Sequence, residues 1–278
     1  MTVLSVYKEG LEKLASGGVE DFAFDCECLF ETATGLSRTQ RILNPDSVID
    51  TEIYGVFMSY IDRRISGEPL QYILGKWNFT DLEFTVGEGV LIPRPETEIL
   101  AEETEKLISS DGCVVYDLCA GSGAIGLSVA KHRPECDVYL FEKYERALEY
   151  LNINNGKLSL CNTHIISCDV LNGCPDGIPK ADIIVSNPPY VKRDEITFLQ
   201  KEVGREPVTA LDGGEDGLDF YRAICDKWLS MVKKDGYIIL ECADNQSSQI
   251  MEIFREKTQK SEVVYDFNNI DRIVKIKV

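Results

Sequence analysis

From Cys113 to the C-terminus, short apolar runs alternate with longer amphipathic stretches, and no other feature restricts the fold as much. Strand-like runs fall at 113–118, 137–142, 163–168, 181–186 and 236–242, with two more near 262–266 and 271–278. Helical spacing between them predicts helices over about 123–133, 144–155, 217–233 and 245–257. That alternation builds a mostly parallel sheet with helices on both faces. In such open sheets, ligands bind at the carboxyl ends of strands. The residues that follow each run are therefore the ones to read for chemistry.

One of those ends is stiff. Asn187-Pro188-Pro189-Tyr190 follows the apolar run 181–186. Two prolines fix φ and remove two backbone donors, and each keeps the residue before it out of the helical region. The lip so formed carries the Asn187 amide oxygen, two prolyl carbonyls and the Tyr190 ring. It suits a planar conjugated –NH2. The Asn187 oxygen and the Pro188 carbonyl can each accept one hydrogen, and Tyr190 can lie against the flat group. Pro-Pro alone is more often a turn that closes a strand. The Asn before it, the Tyr after it and the buried run leading in reverse that balance.

The first run ends in Asp117-Leu118-Cys119-Ala120-Gly121-Ser122-Gly123, and a helix follows at once. Glycines let the backbone approach a ligand, and the helix N-terminus favours anionic groups. Gly121-Ser122-Gly123-Ala124-Ile125-Gly126 also matches the dinucleotide fingerprint, with Glu142 placed as the ribose acid. A nicotinamide-dependent oxidoreductase is therefore one reading. Two features favour S-adenosylmethionine instead. Extra residues after Asp117 widen the turn, and the lip at Asn187 offers a hydride acceptor no acid or His. On this reading Glu142, ending the second run, accepts both ribose hydroxyl hydrogens. Asp169, ending the third, meets the adenine amino group, and Val170 packs on the ring.

The N-terminal part differs. Tyr7, Leu11 and Leu14, then Phe22, Cys26, Leu29 and Phe30, recur at helical spacing, divided by Gly17-Gly18. Asn44-Pro45-Asp46 reads as a turn and helix start, followed by an apolar face from Val48 to Ile61. This predicts a small bundle over residues 1–74, for recognition or support. Residues 75–92 read as a linking hairpin with a turn at Gly87-Glu88-Gly89, and a third segment spans 93–278. The prolines of Leu91-Ile92-Pro93-Arg94-Pro95 hold an extended loop, and a helix begins near Glu96.

Composition excludes more than it selects. No apolar run approaches the ~18 residues that span a membrane, and no signal peptide opens the chain. The ten cysteines lack zinc spacing, with only His132 and His164 to help them, and read as reduced thiols of a cytoplasmic protein. The net charge of −18 carries no basic stripe and disfavours nucleic acid.

With these residues in view, the chain resembles the HemK/PrmC family, the peptide chain release factor glutamine methyltransferases. The similarity runs from Glu68-Pro69-Leu70-Gln71-Tyr72-Ile73-Leu74-Gly75 through Leu91-Ile92-Pro93-Arg94-Pro95-Glu96-Thr97-Glu98 to Asp271-Arg272-Ile273-Val274. It also takes in Glu206-Pro207, Ala210-Leu211 and Gly214 to Tyr221. The resemblance implies a class I, Rossmann-like methyltransferase with a seven-stranded mostly parallel sheet, a helical substrate-docking domain and a linking hairpin. It implies S-adenosylmethionine held by Asp117, Cys119 to Gly123, Glu142, Asp169, Val170 and Asn187. It implies a release-factor Gln held by Asn187, Pro188, Pro189, Tyr190 and Arg94, with Asn187, Pro188 and Tyr190 catalytic, no metal and a monomer. Cys119-Ala120 replaces a more usual Gly-Thr or Gly-Ser pair, and Glu142 stands where many members have Asp. The alternative is an adenine-N6 methyltransferase, because the exocyclic amine of adenine suits the same lip. That reaction needs a basic cleft to hold a flipped-out base. A non-catalytic binding protein would need a defective lip or loop, and both are intact.

Overall fold

The computed structural model describes residues 1–109 and 112–278. Two compact units emerge, residues 1–76 with 200–205, and residues 77–199 with 206–278.

The first unit is helical: α1 (Val3–Ser16), α2 (Phe22–Thr34), α3 (Arg38–Leu43), α4 (Thr51–Ile65) and α5 (Leu70–Leu74). Thr2 and Ser5 form a capping box that starts α1, and Gly35, left-handed at φ 70°, stops α2. Tyr7, Phe30 and Phe57 meet edge to face at 5.5 and 5.2 Å in the core. Gly10 lets α1 and α4 close up, since a Cβ there would stand 2.4 Å from the Phe57 ring. Arg64 is buried between Asp25, at 2.6 Å, and Glu202, at 2.5 Å, so the segment 200–205 is fastened to this unit by charge. The helix α3 has too few apolar positions to show a stripe in the sequence. The turn at Asn44-Pro45-Asp46 does not start a helix, contrary to expectation. Residues 47–50 stay extended, Val48 bridges to Thr2, and α4 begins at Thr51, where the Asp50 carboxylate accepts the Glu52 N–H.

The second unit opens with a hairpin of β1 (Lys76–Phe79) and β2 (Leu82–Thr85). Its tip is Thr80-Asp81, with Thr80 at φ 55°, and not the glycine pair 87–89, which only redirects the chain after β2. Phe79, Phe84 and Val86 are buried in the core of this unit together with Leu100 and Leu127, so the hairpin is part of its body.

There follow α6 (Pro95–Leu107), β3 (Val114–Leu118), α7 (Ala124–His132), β4 (Asp137–Glu142), α8 (Glu145–Leu158), β5 (Thr163–Ser167), β6 (Ala181–Ser186), α9 (Asp219–Ala223), β7 (Val232–Glu241), α10 (Ser247–Phe254), β8 (Lys260–Tyr265) and β9 (Asp271–Lys277). The seven strands from β3 onward form one sheet in the order β5-β4-β3-β6-β7-β9-β8. All run parallel except β9, which pairs antiparallel with both of its neighbours, β7 and the edge strand β8. The whole of β3 is buried, as expected of a central strand covered on two faces. One side is packed by Val115, Leu127, Leu140 and Val185, the other by Tyr116, Phe141, Trp228 and Ile238. The helix expected over 217–233 is regular only in α9. It passes into a π turn at Ile224–Trp228 and a 3-10 turn at Leu229–Met231, and Trp228 is buried with its indole donating to the Val170 carbonyl at 2.8 Å. β7 accordingly starts at Val232, four residues before the expected position.

Candidate active site

The carboxyl ends of β3, β4, β5 and β6 open on one cavity in the second unit, with about 950 Å³ of empty space including its mouth. Cys119, Ala120, Gly121 and Ser122 form its floor, with Glu142, Asp169 and Val170 along one wall and Asn187, Pro189 and Arg94 along another. These are ten of the residues singled out in the sequence. Four others do not line it. Asp117 is fully buried behind the loop. Gly123 caps α7 in a left-handed turn, φ 85°. Pro188 is buried and Tyr190 half-buried, and neither lines the cavity.

The loop after β3 is held by its neighbours. Cys119, Gly121 and Gly123 all adopt positive φ, which costs a residue with a Cβ and suits glycine. A Cβ on Gly121 would meet nothing nearer than Val90 at 3.9 Å, so the backbone here is exposed to the cavity. Asp117 accepts the Gly126 N–H at 2.8 Å and ties the start of α7 to the sheet. Burial, with Glu142 nearby, pushes its carboxyl up to about 7. Asp117 therefore supports the loop from behind and lies outside the cavity lining.

Glu142 is preorganised. It is buried, and Oε2 accepts the Gly121 N–H at 2.8 Å while Oε1 accepts those of Lys143 and Tyr144 at 2.7 and 2.8 Å. A carboxylate offers about four lone-pair directions, so roughly one is left for a ligand hydroxyl, fewer than the two expected. Asp169 is also engaged, accepting from the Leu171 N–H at 3.0 Å and pairing with Lys143 at 2.9 Å. A base donor there must share it with a lysine. Val170, buried beside it, offers the apolar surface that the sequence suggests.

The lip is clamped from the far side. Val191 donates to the Leu211 carbonyl at 2.9 Å and accepts from Gly213 at 2.8 Å. A Cβ on Gly213 would stand 2.8 Å from the Pro189 carbonyl, and one on Gly217 would stand 2.5 Å from the Tyr190 carbonyl. Only glycines let that loop press on the tetrapeptide. Asn187 Nδ2 donates to the Thr97 hydroxyl oxygen at 3.2 Å, which leaves Oδ1 on the opposite side of the planar amide. Tyr190 is half-buried near Glu241, Arg272 and Arg94, and burial raises its phenol well above the ordinary range. It is not among the residues that line the cavity. Arg94 pairs with the buried Glu206, whose other oxygen accepts the Ile92 N–H at 2.9 Å. Burial outweighs Arg94 and pushes the Glu206 carboxyl up. The proline-bounded loop 91–95 is thus pinned at the cavity mouth.

Thr97 escaped notice in the sequence because nothing local distinguishes it from a helix-start threonine. The cavity suits S-adenosylmethionine. Its open glycine backbone, its buried carboxylate with one free direction and its apolar wall at Val170 answer to the amino-acid, ribose and adenine parts of that molecule. No group of three or more His, Cys, Asp or Glu suited to a metal is present among the described residues.

Residues 5–75 match the family model of the PrmC N-terminal domain, and residues 95–214 match that of the Methyltransferase small domain. The chain is 41% identical over 236 residues to the release factor glutamine methyltransferase of Thermodesulfovibrio yellowstonii, covering 83% of each chain. It is 36% identical over 259 residues to that of Clostridium acetobutylicum, covering 92% of this chain and 91% of the relative. Among solved structures, a methyltransferase from Pyrococcus furiosus superposes with a TM-score of 0.53 at 17% identity, over 70% of this chain and 88% of that one. The sheet is thus that of a class I methyltransferase using S-adenosylmethionine, and the chain belongs to the release factor glutamine methyltransferase family.

Proposed function

We propose that the protein methylates the side-chain amide nitrogen of the Gln in the Gly-Gly-Gln motif of peptide chain release factors. The observation that carries this reading is the Asn187 amide, held by Thr97 with its oxygen free beside the cavity. When bound, S-adenosylmethionine would supply an electrophilic methyl carbon, its C–S bond breaking to leave a thioether as the N–C bond forms and one N–H proton is lost. Gly121, Glu142, Asp169 and Val170 would hold it, with the loop from Cys119 to Gly123 beneath.

An amide nitrogen is a poor nucleophile because its lone pair is delocalised, the same resonance that gives a ~18–20 kcal/mol rotation barrier. Asn187 Oδ1 accepts one N–H of the Gln and fixes the nitrogen for attack; the Pro188 carbonyl, expected to accept the other, does not line the cavity. As positive charge builds on nitrogen, the Asn187 acceptor binds the transition state more tightly than the ground state. No side chain is assigned as a base, because the proton becomes far more acidic once the nitrogen is alkylated. Water or Asn187 Oδ1 takes it.

Residues 1–74 dock the factor in this reading, supported by the exposed Ile42, Leu43 and Val48 on that unit. The protein acts as a cytoplasmic monomer without direct nucleic-acid contact, supported by its charge of −18. No helix of the described residues is long and apolar enough to cross a membrane. The test is transfer of label from S-adenosylmethionine to a purified release factor, its Gln→Ala variant and unmethylated DNA. Label on the unaltered factor alone is expected. Asn187→Ala should still bind cofactor but lose about 10²–10³ in rate, as when one preorganised group at a reacting centre is removed. Label on DNA, or on the Gln→Ala factor at an equal rate, would overturn the reading.

A further inference from the structure

We propose that Glu241 is a positioning residue which, through the Thr97 hydroxyl, sets which face of the Asn187 amide meets the substrate. The proposal rests on the amide-methylation reading above and extends it to residues outside the cavity wall.

Glu241 ends β7, and Asn187 directly follows β6. The two strands are in register through Ser186 and Leu240, so Glu241 and Asn187 are neighbours at adjacent parallel strand ends. Thr97, in the first turn of α6, is buried, its oxygen accepting from Asn187 Nδ2 at 3.2 Å, and after burial its hydroxyl is the strongest influence on the Glu241 carboxyl. Glu241 is itself buried, and its Oε2 has no hydrogen-bond partner among the described residues. An unpaired buried carboxylate oxygen destabilises the fold. An apolar residue at 241 would avoid that cost without serving the amide.

The chemistry gives the relay a direction. An ionised carboxylate only accepts hydrogen bonds, and a hydroxyl has a single hydrogen. With that hydrogen given to Glu241, the Thr97 oxygen is left to accept, and Asn187 must turn its NH2 inward. Oδ1 then faces the cavity, as an acceptor for a substrate –NH2. If residue 241 can donate, the relay can reverse. Thr97 then donates to Oδ1, and the Asn187 NH2 is turned against the substrate –NH2, donor to donor. The charged and titratable groups facing Glu241 are Glu96 from α6, Tyr190 after β6, Tyr221 from α9, Arg272 from β9 and Cys242 on its own strand. Burial outweighs Arg272, Thr97 and Tyr190, and raises the Glu241 carboxyl to about 7. The relay is therefore interrupted by protonation near neutrality, and kcat should climb through about pH 7 to a plateau. Asp117 is also raised to about 7, so the limb must be assigned by variant.

The experiment measures kcat, KM and cofactor Kd for wild type, Glu241→Gln, Thr97→Val, Thr97→Ser and the Glu241→Gln/Thr97→Val pair, with a release factor as substrate. Glu241→Gln should lose about 10–100-fold in kcat, less than the ~10²–10³ of a directly acting preorganised group because Glu241 acts through Thr97, keep its cofactor Kd and lose the limb near pH 7. Thr97→Ser should keep wild-type rate and limb, and Thr97→Val should match Glu241→Gln. The pair should be no worse than either alone, because both break one chain of contacts. Wild-type kcat and pH profile in Glu241→Gln would overturn the relay while leaving the methylation reading intact. So would equal rates for Thr97→Ser and Thr97→Val, a comparison that holds even if Glu241→Gln fails to fold. Absence of transfer by the wild type, with cofactor bound, would overturn both.

Discussion

Glu142→Gln tests how the cofactor is held. Three backbone N–H groups, of Gly121, Lys143 and Tyr144, already occupy the carboxylate at 2.7–2.8 Å. Two of them share Oε1, so an amide oxygen in the variant keeps that pair and turns its NH2 toward Gly121. Donor then faces donor at a side chain that is only 6% exposed, and the charge offered to the ribose is gone. A hydrogen bond to a charged group contributes about 1.5–3 kcal/mol. At 1.4 kcal/mol per factor of ten, its loss raises the cofactor Kd by about 10–100-fold. The contact is made equally in ground and transition states, so kcat at saturating cofactor should not change. Glu142→Asp keeps the charge, retracts it by one methylene and should fall between. Isothermal titration calorimetry with S-adenosylmethionine reads Kd directly, and a thermal melt checks that the loop is still folded. A folded Gln variant that binds as tightly as wild type would refute the ribose assignment, and with it the view that Glu142 does more than brace the loop.

Two further outcomes are expected. Phe84 of β2 is fully buried against the sheet core, so Phe84→Ala should cost about 3–5 kcal/mol in urea unfolding, whereas a free-standing linker would lose little. His132 on α7 joins Asp81 at the hairpin tip to Glu105 on α6, both at 2.8 Å, and these carboxylates raise its pKa against the opposing effect of burial. A raised imidazolium contributes fully below its ordinary value of about 6.5 and is lost as pH rises through the folded value. The stability penalty of His132→Asn should thus be larger at pH 6 than at pH 9. Equal penalties would show that the ring packs there without being charged.

The sheet was legible because each of its strands is its own signal. Val114-Val115-Tyr116 and Ile183-Ile184-Val185 are apolar without alternation, which only strands buried on both faces require. The hairpin tip was not, because Thr80-Asp81 has no glycine to mark the positive φ that Thr80 adopts beside the packed Phe79 and Phe84, whose centroids are 6.1 Å apart. The false helix start at Asn44-Pro45-Asp46 has a similar origin. The turn chemistry was right, but residues 47–50 gain more by lying along Thr2 and Val3, with Val3 donating to the Ser47 carbonyl at 2.8 Å, than by coiling.

The site divides along the same line. Residues that line the cavity in the loop after β3, Cys119 to Ser122, or from a strand end, Glu142 and Asn187, carry their signal in the few residues around them. Asp117 and Tyr190 carry the same local signal and yet face inward. Asp117 satisfies the Gly126 N–H, and Tyr190 lies outside the cavity lining, half-buried near Glu241 and Arg272. Local pattern fixes which residues stand at the strand ends but not which way each side chain turns, since that depends on what the neighbouring elements leave unpaired. Thr97, Asn187 and Glu241 are ninety and fifty-four residues apart along the chain. Their meaning lies in the order in which hydrogens are shared among them. That order follows from a carboxylate's inability to donate, and it becomes visible only once α6, β6 and β7 are brought together.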